Sequence, residues 1–425
     1  MIEEQNKTWF GQPRGLTILF LTNMWELFSY YGMRTLLVYY MTKQLLFPQE
    51  KASWIYGGYV GAAYFTPILG GVIADRWLGK RKAVIWGGST MALGHFLMTF
   101  PPLFYLALAT IALGNGLFLP SLPSQINDLY HADDPRRGRA YNVYYVGLNL
   151  GAFLAPFVCG TLGELYGWHY GFAAAGVGML AGLLIYLAGQ RYLPAEVAKP
   201  KVMIPITRET YGKQTQLWLI LAGVALAATI FRGAYEQIGN TVPLWTDVGV
   251  DRSIGSSIIP MTWFQSLNPL LVVALTPLLL FYWRWRAKAG KQMSPARKMA
   301  TGAFIVAGAY LLLSLTANGN SRVGWPWLVS FYAILTVGEL YILPTGLGLF
   351  ARLAPPRFGA TTVAAWFLTI FSGSLLAGAV GIWWSRTTHS GFFLLLSSLA
   401  AAAAIFFLLL NRQVQAYDEL TERGG

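Results

Sequence analysis

Twelve apolar stretches, each close to the length a bilayer demands, restrict what this chain can fold into more than any other feature. A membrane-crossing helix needs about 20 residues. Apolar runs stand at about 16–42, 53–75, 83–100, 103–129, 141–165 and 170–190, and again at about 216–246, 255–283, 299–317, 325–350, 360–384 and 391–411. Lipid offers no water to bond exposed peptide groups, so spans of this length predict helices, whose backbone bonds close internally. Charged residues make up 12% of the chain and apolar residues 55%. The charged share is about half of the roughly 25% usual in soluble domains, which excludes a water-soluble globule. The expectation is an all-α integral membrane protein with twelve transmembrane helices.

The longest polar interval, Arg191 to Lys213, carries Pro194, Lys199, Pro200, Lys201 and Arg208. It divides the spans six and six: an N-terminal six-helix bundle over 1–190, a cytoplasmic linker over 191–213 and a C-terminal six-helix bundle over 214–425. An even number of spans puts both termini on one side. With the termini and alternate loops assigned to the cytoplasm, that side holds 24 of the 31 Lys and Arg residues. Lys43, Lys51, Arg252, Arg322 and Arg386 fall opposite, and Arg34 and Arg232 fall inside spans. Basic residues accumulate in cytoplasmic loops, so a multi-pass protein of the cell (inner) membrane with both termini cytoplasmic is expected. The lipid bilayer then accounts for the net charge of +13, and nucleic acid is not needed as a partner. The acidic opening, Met1-Ile-Glu-Glu, lacks the basic start of a secretory signal, so cleavage is not expected. The single cysteine, Cys159, excludes an internal disulfide and any Cys-based metal site.

Ionisable groups inside spans are costly, about 2.5–3.5 kcal/mol each on insertion scales, so each needs a reason. They are Glu26, Arg34, Arg232, Glu236 and Glu339. At helical spacing Asn23, Leu27, Tyr30 and Arg34 share a narrow face, with Glu26 and Tyr31 at its flanks. This polar stripe either faces a functional interior or glues its span to a neighbour. Arg232 and Glu236, four residues apart, can pair along one helix face, with Asn240 one turn on. Such a pair serves either a site or merely the insertion of its helix. Glu339 has no basic neighbour in its own span, and is either protonated at rest or held by another helix or a ligand.

Enzyme chemistry finds little support. His95, His131, His169 and His389 show no metal-ligand spacing, and neither a nucleophile elbow nor a phosphate-cradling Gly-rich loop occurs. Neither a metal nor a cofactor is expected, and any transport would be driven by gradients rather than by ATP. Two bundles of six also suit transporters whose site lies at the midplane between repeats.

The segment Gly70-Gly71-Val72-Ile73-Ala74-Asp75-Arg76-Trp77-Leu78-Gly79-Lys80-Arg81-Lys82 resembles the loop between the second and third helices of the major facilitator superfamily. In that fold the Asp and the basic residues clamp helix ends at the cytoplasmic gate, a role implied here for Asp75, Arg76, Lys80 and Arg81. Further runs resemble its proton-dependent oligopeptide transporter branch. They are Trp25 to Arg34, Tyr144 to Phe153, Gly167 to Phe172, Trp263 to Pro269 and Gly338-Glu339-Leu340, in the family's order.

The resemblance implies a major facilitator fold and a cavity for di- and tripeptides. Carried over by position, Tyr30, Tyr31, Arg34, Tyr64 and Asn149 line its N-terminal side, and Glu236, Asn268, Glu339 and Trp366 the C-terminal side, where Arg232 is a further candidate beside Glu236. Arg34 would take the peptide carboxylate and Glu339 the amino group, Asn149 and Asn268 would bond peptide backbone groups, and the aromatics would shape side-chain pockets. Glu26, Glu236 and Glu339 are the proton-coupling candidates. The chain also departs from the family pattern. The span-1 Glu-x-x-Glu-Arg reads Asn23, Glu26 and Leu27, and the span-4 lysine is Leu119. A small polar residue of span 10 is Leu343, and a tryptophan four residues before Glu236 is Arg232. Asn23 and Leu119 cannot exchange a proton near neutral pH, so coupling is either rerouted or replaced by facilitated transport. The expected function is carriage of di-/tripeptides or peptide-like solutes by alternating access, as a monomer. The alternatives are the same fold carrying another solute (a peptidic siderophore, a cell-wall fragment or an organic anion) and a non-transporting membrane sensor.

Overall fold

The computed structural model describes residues 8–9, 11–130, 134, 136–194, 211–319, 321–353 and 359–423. The central part of the expected linker, 195–210, lies outside the described residues, as does His131. Twelve long helices carry the fold: α1 (Arg14–Tyr39), α2 (Gln49–Ile73), α3 (Lys80–Leu97), α4 (Phe104–Ser124), α5 (Arg136–Ala155) and α6 (Trp168–Gly189). They continue with α7 (Tyr211–Tyr235), α8 (Leu267–Lys288), α9 (Pro295–Thr316), α10 (Trp325–Arg352), α11 (Gly359–Gly381) and α12 (His389–Arg423). Among the described residues ten are long and apolar enough to cross a membrane. The other two are α1 and α3, and the sequence explains both. The first gives up hydropathy to Asn23, Glu26 and Arg34, and the second has 18 residues and opens on Lys80-Arg81-Lys82.

Two expected spans are interrupted. The stretch 216–246 is helical to Tyr235, then tightens into a 3-10 turn, Glu236–Gly239, before a short helix, Thr241–Val248. The stretch 255–283 starts late. Ser253–Ile254 and Ser257–Ile258 form a two-stranded hairpin, Met261–Ser266 is a 3-10 turn, and α8 begins only at Leu267. The cause is local: Gly255 at φ +58° makes the hairpin turn, and Pro260 caps the 3-10 turn without an N–H to lose.

The chain forms two compact units. One comprises 1–47, 62–198 and 258–270, the other 48–61, 199–257 and 271–425. The first holds α1, the second half of α2, α3 to α6 and the opening of α8, around a core that includes Leu19, Met91, Phe118, Met179 and Tyr186. In it α3 and α4 touch through Gly87 and Gly114, where a Cβ on either would stand 2.7 Å from the other's carbonyl oxygen. Small residues give membrane helices this close approach. The second unit holds the opening of α2, α7, the rest of α8 and α9 to α12, with Tyr310, Phe331 and Phe392 fully buried. There α9 and α10 meet through Gly302 and Gly338 in the same manner, at 2.5 and 2.6 Å.

The second unit also fastens the first turns of α2 with a knot of neutral polar groups. Ser53 Oγ donates to Asn240 Oδ1 (3.0 Å), and Gln49 Nε2 donates to Ser53 Oγ (2.7 Å) and to Gly381 O (2.9 Å). Gln237 Nε2 donates to Ala377 O at 2.8 Å. Ser53, Gln237 and Asn240 are fully buried, and this mutual bonding is what makes their burial tolerable.

Candidate functional site

In the first unit the site is built on α1. Its polar stripe is buried over nearly three turns, with Asn23, Glu26, Tyr30 and Arg34 between 2% and 7% exposed. Tyr144 of α5 donates its hydroxyl to Asn23 Oδ1 at 2.7 Å. Glu26 is different: no ion pair or hydrogen bond reaches it among the described residues, and its Oε2 is buried without a partner. Thr22 Oγ1, Asn23 Nδ2 and Ser29 Oγ are buried and unpartnered as well. Such a concentration of unsatisfied polar atoms is costly in an apolar bundle.

Around the stripe, Tyr31 meets Tyr30 edge-on with centroids 5.4 Å apart, and the Arg34 guanidinium lies 5.6 Å from the Tyr31 ring centroid. Tyr64 of α2 is half-buried. Asn149 of α5 is partly exposed and donates its amide to Tyr145 O one turn back (3.0 Å). Asn268, the second residue of α8, is partly buried in the same unit. The structure thus gathers Tyr30, Tyr31 and Arg34 into one contact group on α1, with Tyr64, Asn149 and Asn268 elsewhere in the same unit.

In the second unit Arg232 Nη1 lies 3.1 Å from Glu236 Oε1, both side chains being buried. The guanidinium also stands 5.4 Å from the Tyr235 ring centroid. Its aliphatic stem runs against Gly373 of α11, where a Cβ would overlap Arg232 Cβ. Glu236 opens the 3-10 turn that interrupts the span, so the pair sits where the helix changes pitch. Glu339 of α10 is 8% exposed, next to the glycine that brings α9 close. Trp366 of α11 is buried, packs against Phe350 at 5.3 Å between centroids, and fills the space that Gly346 leaves empty.

The α2–α3 loop reaches the chain beyond α4 and α6 through two of its basic residues. Lys80 Nζ bonds Asp128 Oδ2 (2.5 Å) and Ser124 O (3.2 Å), and Arg81 Nη2 donates to Leu193 O and Pro194 O, 2.7 Å each. These basic residues do hold the ends of α4 and α6. Asp75 and Arg76, in the π turn Ala74–Leu78, are exposed and enter no ion pair among the described residues. The carboxylate of the clamp is Asp128, which sequence reading overlooked. Nearby, Tyr130 donates to Gln12 Oε1 (2.8 Å), and burial pushes its phenol up to about 12.

Two further residues escaped notice. Tyr144 stands inside a motif read only for Asn149. Glu164, in the π turn Leu162–Tyr166 beyond α5, accepts from Met261 N (2.9 Å), Thr262 N (3.3 Å) and Thr262 Oγ1 (3.1 Å), capping the 3-10 turn before α8. Its signal was an acid at the edge of an apolar stretch, which reads as ordinary interface polarity.

Buried charges inside long apolar helices, two glycine-paired helix contacts and the α2–α3 clamp define a multi-pass membrane transporter. The sequence pattern of the POT family matches residues 81–212 and 195–393. An uncharacterized transporter of Bacillus subtilis, YclF, is 32% identical over 85% of this chain and 86% of its own. The peptide transporter YePEPT of Yersinia enterocolitica is 31% identical over 88% of both chains. A crystal structure of the peptide transporter POT in complex with sulfate superposes with a TM-score of 0.88 at 27% identity, covering 97% of each chain. The chain belongs to the POT family and has its major facilitator fold. Its relatives are transporters, not enzymes.

Proposed function

We propose that this protein carries di- and tripeptides or peptide-like solutes across the cell (inner) membrane by alternating access, with both termini in the cytoplasm. The observation that carries the reading is that each unit buries one of the two chemistries: a guanidinium, Arg34 on α1, in the first and a carboxylate, Glu339 on α10, in the second. Zwitterionic peptides present the two matching termini, and charge-assisted hydrogen bonds of this kind are the strong ones. Arg34 takes the peptide carboxylate and Glu339 the amino group. Asn149 and Asn268 serve backbone groups, while Tyr30, Tyr31, Tyr64 and Trp366 shape side-chain pockets. The functional bundles are 1–190 and 214–425, joined by the 191–213 segment. Asp75 and Arg76 complete the cytoplasmic gate when that loop rearranges.

Arg232 restores charge balance. Asn23, Leu27 and Leu119 leave the first half with fewer charged groups than the family pattern, and Arg232 compensates beside Glu236. Protons enter through Glu26, Glu236 or Glu339. The test is uptake of a labelled dipeptide into proteoliposomes, with and without an inward proton gradient, against empty liposomes. Accumulation above equilibrium only with the gradient identifies a symporter. Equilibration regardless of the gradient identifies a uniporter. No uptake in either condition rejects simple dipeptides and directs a screen to other solutes of this fold.

A further inference from the structure

The junction of α8 and α9 carries a basic site with no part in the transport chemistry above. Its two adjoining cavities, of about 500 and 290 Å³, share Arg286, Lys291, Gln292 and Met293. The larger adds Arg297 and Tyr341, the smaller Arg284 and Lys298, and among the described residues neither lining contains an Asp or Glu. Three loop cations elsewhere in the chain have carboxylate partners: Lys80 with Asp128, Arg136 with Asp134, Arg386 with Glu50. Among the described residues Arg284, Arg286, Lys291, Arg297 and Lys298 have none. Five like charges around open space repel one another, and an anion in their midst relieves that repulsion.

The cations are also held in place. Arg286 Nε donates to Lys291 O (3.3 Å) and Nη1 to the Tyr282 hydroxyl (3.1 Å). The Lys298 ammonium stands 5.0 Å from the Trp283 ring centroid, and that ring is braced edge-on by Tyr341 at 5.2 Å. Helix α9 begins here with Ser294 as its cap and Pro295 in its first turn, so its positive dipole end adds to the field. Fork-shaped guanidinium donors with a lysine beside them suit the tetrahedral oxygens of a phosphate. Beside the cavities α8 exposes Phe281 (74%) and Trp285 (62%), and it is the least buried of the spans. A headgroup bound here can lay its acyl chains along that apolar face, and basic pockets at cytoplasmic helix ends suit anionic headgroups.

We propose that the α8–α9 cavities bind a phosphate ester, which in the membrane is the headgroup of an anionic phospholipid. The cytoplasmic placement rests on the orientation proposed above, but binding itself depends on neither orientation nor transported solute, so failure here leaves the transport reading intact. The test is native mass spectrometry of the full chain in detergent, titrated separately with phosphatidylglycerol, phosphatidylcholine and glycerol phosphate. Phosphatidylglycerol should bind in preference to phosphatidylcholine, and Arg286→Gln/Arg297→Gln should weaken it about tenfold or more. The charge-matched Lys288→Gln/Arg412→Gln, which touches neither cavity, should change it less than about twofold. Glycerol phosphate binding as tightly as the lipid, with the same sensitivity to the variants, assigns the site to a soluble phosphate ester. Equal loss in both double variants would mean diffuse basic charge rather than a site and would overturn the proposal, as would no preference for phosphatidylglycerol together with no glycerol phosphate binding. Should the arginine variant fail to fold, Gln292→Glu, which places a carboxylate in the shared lining, should abolish the preference; retention would overturn the proposal equally.

Discussion

Helix α1 and the 3-10 turn that follows α7 each bury a glutamate, and the two are treated differently. On α7 the neutraliser is built in: Arg232 lies one turn from Glu236 at 3.1 Å, supported by Tyr235 and admitted by Gly373. On α1 Glu26 has no cation beside it, and its neighbours Thr22, Asn23 and Ser29 carry unpartnered atoms of their own. A carboxylate locked in an ion pair must break that pair to exchange its proton, whereas one without a partner has nothing to break. On the reading proposed above, this difference would divide the labour, the Arg232–Glu236 pair holding charge still and α1 being where it changes.

The sharpest way to break this comparison is to remove the built-in neutraliser. Arg232→Leu removes the cation that lies 3.1 Å from the buried Glu236, and breaking a buried pair from one side costs about 3–5 kcal/mol. The variant should therefore melt far below the parent protein in detergent, or fail to accumulate. Arg232→Leu/Glu236→Leu should recover most of the loss, because paired removal leaves no orphan charge. Equal melting temperatures for Arg232→Leu and the parent would end the charge-balance reading. Arg232→Trp should impair folding or uptake for the same reason.

That pair was legible in the sequence because both partners lie four residues apart on one helix, where spacing alone fixes a contact. Most of the fold was legible for a similar reason: in lipid, a long apolar run has few options. What stayed hidden required knowing which helices are neighbours. Tyr144 and Asn23 are 121 positions apart, and nothing local in either announces the other. The same holds for Lys80 and Asp128, where the loop motif drew attention to Asp75 although the partner lay at the end of α4. Spans 7 and 8 were drawn as unbroken because hydropathy is blind to pitch, so the 3-10 turns at Glu236 and Met261 left no trace in it.

Where the two units are built alike, they should respond alike. Gly87→Ala in α3 and Gly302→Ala in α9 each drive a methyl to 2.7 Å or less from a facing carbonyl oxygen. Overpacking a tight contact costs about 1–3 kcal/mol, so both should lower the melting temperature to a similar extent. A large loss in only one unit would mean that the likeness of the glycine contacts does not extend to their mechanics. Tyr144→Phe tests α1 more gently. It removes one buried hydrogen bond and leaves Asn23 Oδ1 without its donor, a cost of about 1 kcal/mol. A melting temperature unchanged by Tyr144→Phe would show that Asn23 finds another donor and that the α1–α5 contact is not what fixes the stripe.

The smallest change in stability should come from Glu26→Gln, and it says most about function. Glu26 is almost wholly buried, and among the described residues no hydrogen bond or ion pair holds it, so an amide of the same shape should melt within about 1 kcal/mol of the parent. Its transport should nevertheless change in kind. If α1 is where the proton enters, the variant will equilibrate labelled dipeptide across the liposome membrane but no longer concentrate it in response to a proton gradient. A variant that still concentrates peptide transfers the role to Glu236 or Glu339. In that case the ion pair on α7 must open during each cycle, and the contrast between a fixed and a free carboxylate would not survive. Measuring gradient-driven accumulation and melting on the same preparation separates these outcomes, because misfolding lowers both while loss of coupling lowers only the first.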